Sequence, residues 1–280
     1  MYTQICTGEK YTKTFKVYIQ ENGKIISPFH DISTYSGTEE DIINVFNEIP
    51  RFENGKFEMN KKEKLNPIMQ DIKKEQVRFV ANVFPLKGYP WNYGAIPQTW
   101  ENPEVKDELT GETGDNDPID VIEIGKKRKK IGEVYKAKIL GGLALIDDGE
   151  CDWKIVVVDV EDENANLLND IGDVDKVYPG MLRSTFEWFR DYKIPGGSPP
   201  NRFGLNGEFL CKEHAIKVVK NAQEHWKCLM EADVGKDISK HNTTLKNSKH
   251  FMNEEFVVAG SPIPKDSVPE LVHEYFFIKK

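Results

Sequence analysis

The chain has 280 residues, with 38 Lys and Arg against 46 Asp and Glu, and therefore a formal net charge of −8. This negative balance argues against nucleic acid or an anionic membrane surface as the main partner, because both carry negative charge. No apolar run approaches the roughly 20 residues of a membrane-spanning helix, and the N-terminal stretch lacks a signal-peptide pattern. The 4 cysteines lie far apart without a CxxC pair. Free thiols and a cytoplasmic location are expected.

Alternating apolar residues predict that the first two thirds of the chain are rich in β-strands. Hairpins are expected at Asn22-Gly23 and Asn54-Gly55, because Asn-Gly adopts the tight turns that join antiparallel strands. The other predicted strands are residues 75–85, 120–125, 133–146 and 153–162. Five or more strands joined by short turns indicate a closed or nearly closed barrel.

Two later segments change to the period of a helix. Residues 179–193 and 209–230 repeat apolar side chains every three or four positions, as an amphipathic helix requires. The expected buried faces contain Leu182, Phe186 and Phe189 in the first helix and Ala215, Val218, Ala222, Trp226 and Leu229 in the second. We expect a single domain, residues 1–280, with its core at about 10–230. Residues 234–280 are predicted to be a polar extension that packs on this core or trails from it.

The sequence GETGDNDPIDVIEI sets three aspartates, Asp115, Asp117 and Asp120, directly before an apolar strand. At about 4 Å and an effective dielectric near 20, each like-charge pair costs roughly 4 kcal/mol. The carboxylates therefore either point apart into water, as in a solvated turn, or have a cation between them. An EF-hand calcium loop does not fit, because the positions that need Gly and Glu hold Asp120 and Lys126. Pro118 stiffens this segment and an apolar strand follows it directly. Both features favour a binding site over a solvated turn.

Two further pairs of charged residues follow predicted turns. Side chains alternate along a strand, so Asp152 and Lys154 share a face, as do Lys56 and Glu58. Either pair alone is typical of an ordinary ion pair across a turn. The occurrence of both pairs, with an acidic cluster between them in the sequence, favours one common site.

These segments together resemble the soluble inorganic pyrophosphatases of family I in their longer eukaryotic form. The main matching segments are EIPRFENGKFEMN, QDIKKEQVRFVANVFPLKGYPWNYGAIPQTWENP and GETGDNDPIDVIEIG, and DDGECDWK and FRDYKIP follow in the expected order. The resemblance runs from about residue 10 to 230. It implies a mainly β (α+β) fold with an OB-like five-stranded barrel flanked by helices. It also implies Mg²⁺-dependent hydrolysis of pyrophosphate to two phosphates, through in-line attack by a metal-bridged hydroxide, in a homodimer that keeps pyrophosphate low for biosynthesis.

The resemblance also implies a role for each motif residue. The implied ligands of several Mg²⁺ ions are Asp115, Asp120, Asp152, Asp147 and Glu58. Asp117 is expected to face the attacking water and accept its proton. The implied phosphate contacts are Lys56, Arg78, Tyr93, Tyr192 and Lys193, and the implied supporting residues are Glu48, Tyr89 and Lys154.

Charge counting supports the need for several metals. The seven acidic and four basic residues of this set leave about −3, and pyrophosphate adds roughly another −3 to −4, so the anion would not bind without counter-ions. The proposed ligand atoms are all oxygen, which suits Mg²⁺ better than a softer metal.

Two alternative functions remain open. A non-catalytic OB-type module would bind single-stranded nucleic acid through a basic, aromatic-lined groove, and the net charge argues against it. A phosphohydrolase that acts on polyphosphate or nucleotides differs from a pyrophosphatase only in substrate. Apart from the family resemblance, GYPWNYG also fits a turn in the core, and Arg78 fits an edge strand. KKRKK at 126–130 favours a solvated turn over a nucleic-acid patch.

Overall fold

The computed structural model describes residues 1–260, 263 and 268–278. The early strands are β1 (Tyr2–Thr7), β2 (Lys16–Glu21), β3 (Lys24–Ile26), β4 (Ile42–Ile49), β5 (Phe57–Met59), β6 (Ile68–Gln70), β7 (Ile72–Lys73) and β8 (Gln76–Val77). The later strands are β9 (Asn82–Val83), β10 (Asn92–Ala95), β11 (Asp120–Glu123), β12 (Val134–Asp147), β13 (Glu150–Asp159), β14 (Arg202–Phe203), β15 (Leu210–Cys211) and β16 (Tyr275–Phe276). The helices are α1 (Ile171–Val177), α2 (Met181–Asp191) and α3 (Lys212–Glu231), besides short 3-10 turns.

Five strands close into a ring in the order β13, β11, β10, β4 and β12, and β12 pairs back with β13. Successive side chains point to opposite faces of a strand, so Val121 and Ile122 of β11 belong to different core clusters. Helix α3 packs on one of these clusters through Ala215 and Val219. The predicted mainly β fold with a five-stranded barrel flanked by helices is confirmed.

The hairpin at Asn22-Gly23 is confirmed, since β2 pairs antiparallel with β3. Both turn residues have positive φ, 52° for Asn22 and 83° for Gly23, as the type I′ turn of a two-residue hairpin requires. The hairpin predicted at Asn54-Gly55 is wrong, because β5 pairs with β6 and residues 50–54, directly before Gly55, form no strand. There the Glu53 carboxylate accepts the N–H groups of both turn residues, so the segment is held by a side chain.

The strand predicted at 75–85 is broken into β8 and β9, while the other three predicted long strands are confirmed as β11, β12 and β13. Between β8 and β9 the backbone bonds to the preceding loop. Lys56 N donates to Arg78 O at 3.0 Å, and Val80 N donates to Asn54 O at 2.8 Å. These bonds place the side chains of Lys56 and Arg78 on neighbouring segments.

Both predicted helices are confirmed, as α2 and α3. All five residues of the predicted α3 face are buried, whereas of the three residues of the predicted α2 face only Phe189 is fully buried. Phe186 of α2 is half-buried and stacks on Phe203 at 4.4 Å between ring centroids. No helix in the described residues has the length and apolar character needed to cross a membrane.

The described residues after 233 contact the rest of the chain at several places, for example through the Ser239 N–H, which donates to Lys61 O. Asp31 accepts hydrogen bonds from the backbone of Thr243 and Thr244. Near the other end, β16 pairs parallel with β9, and Asn82 donates to the carbonyl groups of Val272 and Glu274. The single-domain organisation of residues 1–280 stays a prediction.

Candidate active site

A cavity of about 270 Å³ is lined by all fourteen residues that the sequence analysis selected. Around it lie Glu48, Lys56, Glu58, Arg78, Tyr89, Tyr93, Asp115, Asp117, Asp120, Asp147, Asp152, Lys154, Tyr192 and Lys193. Six of them lie on strands of the barrel: Glu48 on β4, Tyr93 on β10, Asp120 on β11, Asp147 on β12, and Asp152 and Lys154 on β13. The structure therefore brings the predicted residues together, and their individual roles stay predictions.

Lys154 is the centre of a buried charge network. The parallel register of β11 and β13 sets Asp120 opposite Lys154. The Lys154 ammonium, 2% exposed, contacts the carboxylates of Asp120 and Asp152 and donates to Tyr93 Oη at 2.9 Å. Burial lowers the pKa of Lys154, but the two carboxylates outweigh it and raise that pKa well above the usual value. The lysine thus stays charged and fixes both carboxylates.

Three carboxylates face one another beside this network. One oxygen of each of Glu101, Asp115 and Asp152 lies within 4.8 Å of the others. Glu101 Oε1 accepts the Trp153 N–H at 2.9 Å, and Glu101 Oε2 is buried with no hydrogen-bond partner among the described residues. Burial raises the pKa of both Glu101 and Asp115 well above their usual values, and repulsion by neighbouring carboxylates adds to it.

Asp117 lies at the entrance, between acidic neighbours and one cation. Its carboxylate is 44% exposed and contacts the Lys61 ammonium at 2.8 Å. Its backbone N–H donates to the Asp115 carboxylate at 3.0 Å, which fixes the acidic turn. Burial raises the pKa of Asp117, with Lys61 acting in the opposite direction and Glu58 adding to the rise. This carboxyl is therefore a better proton acceptor than an ordinary aspartate.

Glu48 of β4 lies deeper and is 4% exposed. Its Oε1 accepts the Met59 N–H at 2.6 Å. Burial raises the pKa of Glu48 well above the usual value, and the Asp120 carboxylate raises it further. Glu48 thereby joins β4 to β5, the strand that carries Glu58.

Cations line the cavity as well. Asp71 accepts from Arg78 at 3.0 Å and contacts the Lys56 ammonium at 3.5 Å, while Lys56 also contacts Glu58. Burial raises the pKa of Asp71, but Lys56 and Arg78 outweigh it and the net shift is downward. Lys193, which also lines the cavity, contacts Asp147.

Three tyrosines also line the cavity. The Tyr192 ring stacks on Trp188 at 4.6 Å between centroids, and the Tyr192 hydroxyl is 3.5 Å from the Asp147 carboxylate. The Tyr89 ring meets Tyr93 edge to face at 5.3 Å. Burial raises the pKa of Tyr89 to about 12, so this hydroxyl remains a protonated donor at neutral pH.

Comparisons with known proteins agree on one family. The family model described as Inorganic pyrophosphatase matches residues 45–227. The inorganic pyrophosphatase of Encephalitozoon cuniculi is 52% identical over 99% of both chains, and that of Candida glabrata is 45% identical over 99% of this chain and 98% of its own. The solved inorganic pyrophosphatase from Schistosoma japonicum matches with a TM-score of 0.92 and 40% identity, over 99% of this chain and 100% of its own. The chain belongs to the inorganic pyrophosphatase family.

Membership of the inorganic pyrophosphatase family confirms the predicted resemblance and the predicted class of enzyme, an inorganic diphosphatase. The family implies a divalent metal, and the residues present fit one. Glu101, Asp115 and Asp152 offer oxygen ligands only, which suits a hard cation. The buried oxygen of Glu101 without a partner is also an observation that a bound cation would explain.

Three residues at this inorganic pyrophosphatase site were not selected from the sequence. Glu101 lies in TWENP, where a single acidic residue after a tryptophan carries no pattern. Asp71 and Lys61 lie in polar segments that look like ordinary surface. Lys61 and Glu101 join the site through Asp117 and Trp153, which are distant in the chain, so a spacing rule could not have found them. Asp71 joins it through Arg78 and Lys56 on neighbouring segments.

Proposed function

We propose that this chain hydrolyses inorganic pyrophosphate to two orthophosphates in an Mg²⁺-dependent reaction. The observation that carries the proposal is a cavity that is lined both by a group of carboxylates and by the cations of Lys56, Arg78 and Lys193. Such a cavity suits a small polyanion that binds together with cations. The 52% identity to the inorganic pyrophosphatase of Encephalitozoon cuniculi, over nearly the whole chain, supports the choice of substrate.

Asp115, Asp120 and Asp152 would hold Mg²⁺, and Asp147 and Glu58 would take further ions that enter with the substrate. When bound, Mg²⁺ supplies charge neutralisation and makes a coordinated water more acidic. Lys154 keeps Asp120 and Asp152 oriented, because its ammonium contacts both carboxylates. Asp120 and Asp152 are thereby held in place for binding rather than turned outward.

The cations bind and orient the phosphates. Arg78 makes one side-chain bond to Asp71 among the described residues, so other N–H groups of its guanidinium are available to a phosphate oxygen. Lys56 and Lys193 add positive charge, and Tyr93 and Tyr192 donate hydrogen bonds without adding charge. These donors stabilise the negative charge that grows on the leaving phosphate. Glu48 and Tyr89 support this arrangement from the buried side.

Asp117 is the proposed general base. Water attacks one phosphorus in line with the bond to the bridging oxygen, that bond breaks, and the proton of the water passes to the Asp117 carboxylate. Its raised pKa favours this acceptance, and its position at the cavity entrance leaves it in reach of the solvent. The two products are orthophosphates, and no covalent enzyme intermediate is required.

We further propose a homodimer in the cytoplasm, where removal of pyrophosphate drives biosynthetic reactions forward. Phe84 (56% exposed) and Phe277 (62% exposed) stack at 5.2 Å between ring centroids, and Tyr275 joins them. An exposed aromatic patch of this kind suits an interface between subunits. The four cysteines are all free, which suits a reducing compartment.

Phosphate release tests the proposal directly. Wild-type protein with saturating Mg²⁺ and pyrophosphate should release phosphate, and excess chelator should stop the release. Asp117→Asn keeps the shape of the side chain but removes the base, so we expect turnover to fall by roughly 10²-fold to 10⁴-fold. Asp233→Asn is the matched control, because Asp233 is 90% exposed and does not line the cavity.

Two results would count against the proposal. If the wild type releases no phosphate at saturating Mg²⁺, the proposed pyrophosphatase activity is wrong. If Asp117→Asn turns over at the normal rate, Asp117 is not the general base. Tripolyphosphate and ATP should be assayed in parallel. Faster release from either one than from pyrophosphate would favour the broader phosphohydrolase.

A further inference from the structure

Lys61 connects two walls of the cavity without lining it. It lies two residues after β5, the strand that carries Glu58, and its side chain is 22% exposed. Its ammonium contacts the Asp117 carboxylate at 2.8 Å and donates to Asn116 O at 3.0 Å. Lys61 is not among the residues that line the cavity. It therefore reaches Asp117 from outside the space that the substrate would fill.

The backbone of Lys61 is fixed as firmly as its ammonium. Lys61 O accepts the Ser239 N–H at 2.6 Å and the Asn66 side-chain amide at 3.3 Å. A lysine tied at both ends has little freedom left to swing into the solvent. Its charge is thus held at one place beside the acidic turn.

The turn that Lys61 contacts needs support. Asn116 has a φ of 69°, in the left-handed region that non-glycine residues rarely adopt. The Asn116 side chain accepts the Trp100 indole N–H at 2.9 Å, and Lys61 binds the Asn116 carbonyl on the other side. These two bonds hold the strained residue between Asp115 and Asp117.

Lys61 also balances the charge around Asp117. Glu58 and Asp120 repel the Asp117 carboxylate, and Lys61 is the one cation that forms an ion pair with it in the described part of the chain. Without that cation, a carboxylate already 44% exposed would be pushed outward into water.

We propose that Lys61 is a positioning residue, which holds the Asp117 carboxylate toward the cavity from outside the substrate volume. The inference rests on the proposed function, in which Asp117 accepts a proton. It assigns to Lys61 no contact with pyrophosphate. The effect of removing Lys61 should therefore appear in kcat and leave substrate binding nearly unchanged.

The test compares Lys61→Met, Lys61→Arg and the matched control Lys62→Met, since Lys62 is exposed and loses the same charge. We expect Lys61→Met to lower kcat by about tenfold to hundredfold, because a small displacement of a reacting group has an effect of this order. The KM for pyrophosphate should change by less than about threefold. Lys61→Arg keeps the cation and should recover most of the lost kcat.

A second measurement separates positioning from general damage. In the Asp117→Asn background, Lys61→Met should lower kcat by less than about twofold, because the carboxylate that needs positioning is gone. Thermal melting of each variant reports whether the fold is intact. If Lys61→Met folds poorly, Lys61→Gln carries the same expectation, since its amide still can donate to Asn116 O.

Two outcomes would overturn the inference while the wild type releases phosphate. One is a kcat for Lys61→Met within about twofold of Lys62→Met. The other is an equal loss of kcat with and without the Asp117 carboxylate. A wild type that releases no phosphate would instead overturn the proposed function itself, so the two failures are distinguishable.

Discussion

Asp31 and Glu101 are both buried carboxylates, 9% and 6% exposed, but only Asp31 is surrounded by hydrogen-bond donors. Its two oxygens accept the backbone N–H groups of Ser27, Thr243 and Thr244 at 2.8 to 3.0 Å, and both threonine hydroxyls as well. These bonds tie the described C-terminal residues to an early loop. The charge of Asp31 is thus satisfied by the protein alone.

Glu101 has the opposite surroundings. It accepts one backbone N–H, its second oxygen has no partner in the described part of the chain, and Asp115 and Asp152 face it. The same chemical group therefore holds structure together where donors converge on it, and leaves room for a cation where carboxylates converge. The comparison predicts opposite responses to substitution, to Mg²⁺ and to pH.

The largest expected change in stability comes from Asp31→Ala. Removing this carboxylate leaves several buried donors without an acceptor, so we expect a loss of about 3 kcal/mol in the free energy of unfolding. Urea denaturation measures it, with Asp233→Ala as the exposed control. The loss should be equal in Mg²⁺ and in chelator. A loss that disappears with Mg²⁺ would mean that Asp31 also serves the metal site.

A somewhat smaller change is expected from Mg²⁺ itself. At about a hundred times its dissociation constant, a ligand that binds only the folded state stabilises it by about 2.7 kcal/mol. Asp115→Asn should reduce this gain and also raise the stability of the metal-free protein, because it removes one of the repelling charges. Thermal melting with Mg²⁺ or chelator measures both effects. An unchanged Mg²⁺ gain in Asp115→Asn would place the metal elsewhere.

The smallest effect concerns His30, which is fully buried near Asp31. Its Nδ1 accepts the Trp226 indole N–H at 3.0 Å, so protonation would break that bond. Burial lowers the pKa of His30 to about 3. The unfolded chain therefore takes up the proton first as the pH falls. The contribution of neutral His30 to the free energy of unfolding is therefore complete above about pH 6.5. About 2 kcal/mol of this contribution is lost between pH 7 and 5.

Measuring the free energy of unfolding against pH tests the His30 prediction. His30→Gln should remove the loss of unfolding free energy that His30 causes between pH 7 and 5. His273→Gln, at an exposed position, should leave that loss unchanged. The metal-free acidic cluster acts in the opposite direction, because the raised pKa of Asp115 and Glu101 makes stability grow as the pH falls. Equal slopes in wild type and His30→Gln would contradict the prediction.

The strands of the barrel could be predicted because their signal is local. Residues 133–146 and 153–162 are rich in aliphatic residues and flank the Asp148-Gly149 turn, and β12 and β13 form there. Asn54-Gly55 carried an equally clear turn signal, but Glu53 takes both N–H groups and the Asn54 amide bonds to Val80 O and Asn82. Tertiary hydrogen bonds of this kind override the preference of an Asn-Gly pair for a hairpin turn.

The candidate site could be predicted where its residues lie in dense motifs, and not where they act alone. Asp115, Asp117 and Asp120 share one short segment. Lys61 and Glu101 do not line this cavity, and each lies beside carboxylates that do, namely Asp117 for Lys61 and Asp115 and Asp152 for Glu101. Their importance arises from these contacts, which no spacing in the sequence indicates. Such contacts exist only once the barrel has closed.

The pairing of β16 with β9 has a practical consequence for all these experiments. β9 follows shortly after Arg78, so β16 brings the described C-terminal residues close to a segment that lines the cavity. Met1, in contrast, is 92% exposed, and β1 pairs with β2 away from the cavity lining. An affinity tag for purification therefore belongs before Met1.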